Sequence, residues 1–287
     1  MASLKEIKER IQSVRTTRKT TSAMKMVAAA KLHRAQRDIG ALVPYSEELR
    51  TIVTHLVSGE GVGKVALAEE REVKRATVVG FASNSTLCGA YNSNTAREVL
   101  RAVESYKELD EGLQVVTMGH RLSVELSREK VAHTEGDNHL AEHPEYGALK
   151  TMAEQLMTDF LEGRTDCVEL IYHKFLSAGS QRLVRERLLP VDMPHANMEE
   201  RWGEVPYILE PSKGRLIEKL IPREVALRLY TAALSALASE HAARMMAMQT
   251  ATDNADELIK ELSVEYNKQR QQAITNELLD IVGGQSR

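Results

Sequence analysis

Between Pro222 and the pair Gly283-Gly284 the chain contains neither proline nor glycine. Those two residues are the strongest breakers of helical structure, so their absence over this span permits a single unbroken helix. Pro222 suits a first helical position and the glycine pair suits a stop, which predicts a helix from residue 222 to about 283. At the α-helical rise it would be roughly 90 Å long. A compact globule of 287 residues measures only about 50 Å across. Such a helix has to project from its own domain, and its apolar positions then need a partner. Those positions are Leu227, Tyr230, Leu234 and Leu237 near the start, and Ile274, Leu278 and Ile281 near the end.

The other end of the chain supplies a partner of similar length. Ser3 is a candidate N-cap with Glu6 at the capping-box position. Leu4, Ile7, Ile11 and Val14 then recur at steps of three and four, the seam of a coiled coil, and the register resumes through Ala28, Leu32, Ala35, Ile39 and Leu42. Arg18, Thr21 and Lys25 interrupt it where a simple seam is apolar. The pattern predicts a helix over residues 3–57, with a kink near Gly40 and Pro44. Two long amphipathic ends on one polypeptide imply an antiparallel two-helix rod. Composition agrees: aromatics are only 4% and prolines only seven, and alanines such as Ala28–Ala30 and Ala242, Ala243 and Ala247 permit close helix approach.

Residues 58–221 change character. Ala76–Ala82 and Leu113–Gly119 read as short buried strands, with a weaker one around Val131–His133. Helices are predicted over residues 92–106 and 146–161, and consecutive strands over Cys167–Tyr172 and Arg182–Arg185, whose short Ser/Gly connection fits an antiparallel hairpin. Alternation of strand and helix implies a mostly parallel α/β domain of Rossmann-like type. The expected organisation is a coiled-coil helix over 1–57, a central α/β domain over 58–221 and a second coiled-coil helix over 222–287.

Several function classes are disfavoured. Lys plus Arg number 38 and Asp plus Glu 41, so no overall basic excess points to nucleic acid. Two cysteines, Cys88 and Cys167, make neither a disulfide scaffold nor a four-thiolate zinc site. No apolar run reaches the ~18 residues a membrane span needs. Gly59-Glu60-Gly61-Val62-Gly63-Lys64-Val65 approaches a phosphate loop, but Ser58 stands where glycine is needed, Val65 where Ser or Thr is needed, and no strand precedes it. A linker is the expected reading. Ser83–Asn94 sits where α/β folds bind anions but lacks the glycine fingerprint, so a structural turn with a buried thiol is expected. His139-Leu140-Ala141-Glu142-His143 matches the inverted zinc-protease motif, yet Pro144 and Asp137-Asn138 leave room for one helical turn; a solvated loop is expected. Residues 1–37 carry ten Lys or Arg against Glu6 and Glu9, a solvated cationic face or a docking surface for an acidic partner. Met24, Met26, Met245, Met246 and Met248 are core filler or a slippery apolar surface facing a changing partner.

Both arms resemble one family. Ile11–Leu32, including Thr16-Thr17-Arg18-Lys19-Thr20-Thr21-Ser22-Ala23-Met24-Lys25-Met26, is similar to the N-terminal signature of the gamma subunits of F-type ATP synthases, and Ala238–Ala255 with Tyr266–Glu277 is similar to their C-terminal signature. These motifs cover about a fifth of the chain. The resemblance implies a central rotor shaft whose coiled coil lies inside a ring of three alpha and three beta subunits. Its α/β domain would protrude with the epsilon subunit onto the membrane c-ring. It implies no catalytic residue, no cofactor and no metal. It also implies that Met24 and Lys25 face an acidic loop of a beta subunit, and that Arg270, Gln271, Thr275 and Glu277 make polar contacts high in the sleeve. The family's Ser-Asp-Arg-Gly-Leu-Cys-Gly-Gly-like turn is here Ser83-Asn84-Ser85-Thr86-Leu87-Cys88-Gly89-Ala90, and the thiol-switch insertion of chloroplast members is absent. Glu6 and Glu9 argue against a presequence, so a bacterial or mature chain is expected, peripheral on the cytoplasmic face of the cell membrane. Rival readings are a small α/β enzyme with a helical oligomerisation hairpin and a static coiled-coil scaffold.

Overall fold

The computed structural model describes residues 4–58, 65–109, 112–192, 209–210 and 212–284. The glycine-rich Gly59–Lys64 stretch lies outside them. By Cα proximity the chain forms two units, residues 1–29 with 244–287, and residues 30–243.

In the second unit a five-stranded sheet runs in the order β3-β2-β1-β4-β5. Strand β1 (Ala76–Phe81) is parallel to β2 (Leu113–Met118) and to β4 (Cys167–Ser177). The two-residue β3 (Thr134–Glu135) extends β2 in parallel, and β5 (Ser180–Leu189) returns antiparallel to β4. All six residues of β1 are buried, which explains its mostly apolar sequence: a central parallel strand is covered on both faces. Alternation then sorts its side chains. Val78, with Val115 and Ile171 of its neighbours, faces Ala96, Val99 and Ala102 of α2 (Tyr91–Ser105) and Leu122 and Leu126 of α3 (His120–Arg128). Val79 and Phe81, with Val168 and Leu170, face the opposite layer. A short α4 (His139–Glu142) precedes α5 (Tyr146–Leu161), and the inner side of α5, Leu149, Ala153, Leu156 and Phe160, fills that layer. Leu49, Val53 and Leu56 of α1 (Leu4–Ser58) and Ile217 to Ala236 of α6 (Lys213–Gly284) complete it.

Three differences from the sequence-based expectation have physical causes. Helix α6 starts at Lys213, not at Pro222. Ser212 supplies the first carbonyl to Leu216 N (3.1 Å), and Ile217 and Ile221 are 7% and 1% exposed in the core. Burying two such side chains is worth about 1.5–3 kcal/mol each, enough to offset the ~3 kcal/mol cost of a proline inside a helix. Helix α3 is absent from the pattern because Leu122, Val124 and Leu126 alternate in strand fashion. Only Leu122 and Leu126, four apart, are fully buried. The third strand falls at Thr134–Glu135, beyond the expected Val131–His133.

In the first unit, residues of α1 and α6 pair antiparallel. As the α1 partner steps from Lys25 through Thr21 to Arg18, the α6 partner advances from Gln249 through Thr252 to Asp256. Beyond them Ile7 and Ile11 pack on Leu262, with Val14, Leu258 and Tyr266 alongside.

Candidate functional site

Arg18, Thr21 and Lys25 break the α1 seam because the facing α6 positions are polar too. Lys25 Nζ donates to Gln249 Oε1 at 2.7 Å. The Thr21 and Thr252 hydroxyl oxygens are 2.8 Å apart. Each hydroxyl also lies within reach of a carbonyl on its own helix, Thr252 of Met248 (2.7 Å) and Thr21 of Arg18 (3.1 Å), so with one proton each, one hydroxyl donates across the pair and the other back to its carbonyl. Arg18 Nε lies 2.5 Å from Asp256 Oδ1, with both side chains close to half exposed. This ladder satisfies its own polar groups, and its solvent-facing ion pair contributes no more than about 1 kcal/mol. It fixes register; it does not bury much area.

The outward side of the same segment is apolar and cationic. Met26 is 62% exposed and Val27 57%, while Met246 on the other strand is 47% exposed. Met24 is half-buried, and Met248 is buried in the seam. Lys5, Lys8, Arg10, Arg15 and Lys19 are exposed on α1. Thr16, Thr17 and Thr20, all exposed, turn their hydroxyls back onto carbonyls one turn earlier. Toward its end α6 exposes Ile274 (49%), Leu278 (57%) and Leu279 (63%), an apolar row of the kind that marks a contact surface. Arg270, Gln271, Thr275 and Glu277 stand exposed around it. Thr275 Oγ1 donates to the Gln271 carbonyl (2.9 Å), so its hydroxyl is already engaged within the helix.

The other sequence candidates resolve as local structure. The Ser83–Ala90 turn is tied inward: Asn92 Oδ1 accepts from Ser83 N (3.0 Å), Asn92 Nδ2 donates to Ser83 Oγ (2.8 Å) and to Cys88 Sγ (3.2 Å). Cys88 is buried, while Leu87, with φ of 69°, points its side chain outward at 56% exposure. His139 opens the single turn α4 and His143 follows it, both exposed, with ring centroids 5.0 Å apart. Asn84 donates to Glu142 (3.2 Å) and to the Asn138 carbonyl (2.7 Å), which ties that turn to the end of β1. Among the described residues no three His, Cys, Asp or Glu side chains converge to hold a metal, and no helix is long and apolar enough to cross a membrane.

Sequence reasoning passed over two buried ionisable residues, one on the sheet and one on α6. His173 on β4 is buried and stacks on Tyr91 at 4.4 Å. Burial pulls its pKa down from 6.5 to about 4. Glu224 on α6 is buried beside Arg228, and burial pushes its carboxyl above the usual range. A histidine in an apolar strand and a glutamate four residues before an arginine were the available signals.

A family model described as ATP synthase matches residues 3–286. The chain is 50% identical over 287 residues to the ATP synthase gamma chain of Bacteroides fragilis, covering 99% of both. It is 42% identical to that of Flavobacterium johnsoniae, covering 99% of this chain and 98% of the relative. Among solved structures, a chain of the Euglena gracilis mitochondrial ATP synthase matches with a TM-score of 0.65 at 18% identity, over 99% of this chain and 93% of that one. A chain of the Tetrahymena thermophila mitochondrial ATP synthase central stalk and c-ring matches with a TM-score of 0.59 at 24% identity, over 81% and 99%. At these identities the structural matches speak to the fold.

Proposed function

This chain belongs to the family of ATP synthase gamma chains, and from that premise we propose that it is the central shaft coupling ion flow through a membrane c-ring to ATP synthesis and hydrolysis at beta-subunit sites. The observation that carries this reading is the full-length match at 50% identity to a gamma chain, joined to an antiparallel helix pair whose outward side is apolar and cationic. The pair turns inside a hexamer of alpha and beta subunits. The α/β domain, with the epsilon subunit, takes torque from the c-ring. The segments 1–57, 58–221 and 222–287 serve as first strand of the shaft, torque-receiving domain and second strand. The chain carries no catalytic residue and needs no cofactor; it works by presenting different sides of an asymmetric rod to the three beta sites. It is peripheral to the membrane, on the cytoplasmic side, through its complex.

The exposed side chains suit contacts that must form and release repeatedly. Methionine surfaces adapt to changing partners. Lysines attract an acidic loop of a beta subunit at long range without fixed geometry. Lys25 has an intramolecular alternative in Gln249, so it can leave a beta contact without stranding its charge. Arg270, Gln271, Thr275 and Glu277 make weak polar contacts in the upper sleeve, and Ile274, Leu278 and Leu279 slide against an apolar collar.

The test is co-purification of the tagged chain with an alpha–beta hexamer; a chain that purifies alone under conditions where the hexamer forms contradicts the reading. Within the assembled complex, Met24→Lys should lower proton pumping per ATP hydrolysed while leaving assembly intact, because a second ammonium beside Lys25 deepens an attraction that resists turning. An unchanged pumping ratio in reconstituted vesicles counts against this contact.

A further inference from the structure

Most of the contact between α6 and the sheet is apolar: Val225, Leu229, Ala232 and Ala233 lie in the same core as Val168 and Leu170. Apolar packing is strong but not directional. The turn Ser235–Ser239 is held differently. Phe175 N donates to Ser235 Oγ at 2.7 Å, and Ser239 Oγ donates to the His173 carbonyl at 2.9 Å. From α2, the Tyr91 hydroxyl donates to the Ala236 carbonyl at 3.0 Å. Three hydrogen bonds from two elements thus converge on one helical turn, and each joins a hydroxyl to backbone.

The anchors are themselves fixed. Tyr91 is 4% exposed and its ring stacks on His173 at 4.4 Å. Thr95 Oγ1 donates to the Tyr91 carbonyl (3.1 Å), which leaves its oxygen to accept from His173 Nδ1 (3.3 Å). Ser239 is fully buried. A further polar tie exists at Arg228, which donates to Glu186 (2.7 Å) and to the Arg187 carbonyl (2.8 Å), but both of its charged groups are partly exposed. The Tyr91 and Ser239 bonds are buried and that of Ser235 partly so, and hydrogen bonds in a dry, low-dielectric setting resist exchange with water far better than exposed pairs.

We propose that the Ser235–Ser239 turn is a torque latch, the place where a twisting load passes between the α/β domain and α6 without slip. The proposal rests on the shaft reading above. Rotation or sliding of α6 against the sheet shears all three bonds at once, whereas the apolar contacts beside them can re-form after a small shift.

The test uses the assembled, membrane-reconstituted complex carrying Tyr91→Phe, Ser235→Ala and Ser239→Ala together, which removes the bonds and keeps the ring stack and nearly all the volume. Ser263→Ala, which removes a hydroxyl bonded only within α6 to the Ile259 carbonyl, is the control. Amide exchange across residues 232–243 should quicken about fivefold per bond removed. ATP hydrolysis in uncoupled vesicles should match wild type, while protons pumped per ATP should fall progressively as the gradient builds. A mere loss of assembled complex would scale hydrolysis and pumping together, independent of load. Faster exchange with no load-dependent loss overturns the latch, as does unchanged exchange. If the triple variant does not fold, Tyr91→Phe alone must show the same load-dependent loss, and its absence overturns the proposal. A wild-type complex that hydrolyses ATP without pumping defeats the shaft reading and the latch with it; a wild-type complex that pumps confines any failure to the latch.

Discussion

His173 and Glu224 are ionisable groups placed where charge is costly, and their effects on stability have opposite signs. The folded-state pKa of His173 is about 4 against 6.5 for the free side chain, and burial is the cause. Below pH 6.5 the unfolded chain binds a proton that the folded chain refuses, so stability falls with pH until about 4, where both forms are protonated. The full loss is about 3 kcal/mol. His173→Gln should flatten this limb of the pH–stability curve, measured by denaturant melts between pH 7 and pH 4. Glu224 is shifted upward, again by burial, against the attraction of Arg228 and Arg50. Its stabilising contribution is complete below the ordinary carboxylate pKa and is lost as pH rises through the folded value. Glu224→Gln should therefore raise the melting temperature at pH 7 by a few degrees, with no gain at pH 4. A lowered melting temperature at pH 7 would mean that the ion pair with Arg228 outweighs the burial cost.

Among the elements, Gly80 shows how closely the sheet and its helices fit. A Cβ there would lie 2.6 Å from Leu122 Cδ2 and 3.0 Å from Val99 Cγ2. Gly80→Ala should cost about 1–3 kcal/mol in a thermal melt, and a neutral result would show that α3 can shift. In the helix pair, Leu262→Ala removes the largest α6 contribution to the Ile7–Ile11 cluster and should cost about 2 kcal/mol. The loss should be read as faster amide exchange confined to residues 4–29 and 244–279, with that of residues 30–243 unaltered. The legible elements were those with one dominant signal. Strand β1 announced itself as a short, mostly apolar β-branched run, α5 by its 3.6-residue period, and the two long helices by heptad steps. The illegible ones depended on three-dimensional context. Helix α3 hid behind an alternating Leu-x-Val-x-Leu pattern whose middle residue is only half-buried. The start of α6 was masked by Pro222, whose cost is offset by Ile217 and Ile221 reaching a core that no local window displays. The polar break at Arg18, Thr21 and Lys25 looked like a fault in the seam until the facing Asp256, Thr252 and Gln249 were matched to it.

For the whole molecule, the apolar cores of the sheet lie within residues 30–243. Removing residues from Arg270 onward should therefore leave the circular-dichroism melt of this unit in place while weakening torque or assembly of the complex. Loss of that melt would show that the α/β domain depends on the distal helix. The family membership was readable from two motifs at opposite ends of the chain, which combine a buried seam (Ile11, Ala28, Leu32, Ala242, Met248) with apolar side chains left exposed, Met26, Val27 and Met246 among them. The central claim is that the chain rotates. The direct measurement fixes the alpha–beta hexamer to a surface, attaches a bead to the α/β domain and adds ATP. Unidirectional turning of the bead that stops when ATP is withdrawn is the predicted result; sustained ATP hydrolysis with the bead stationary would contradict the account.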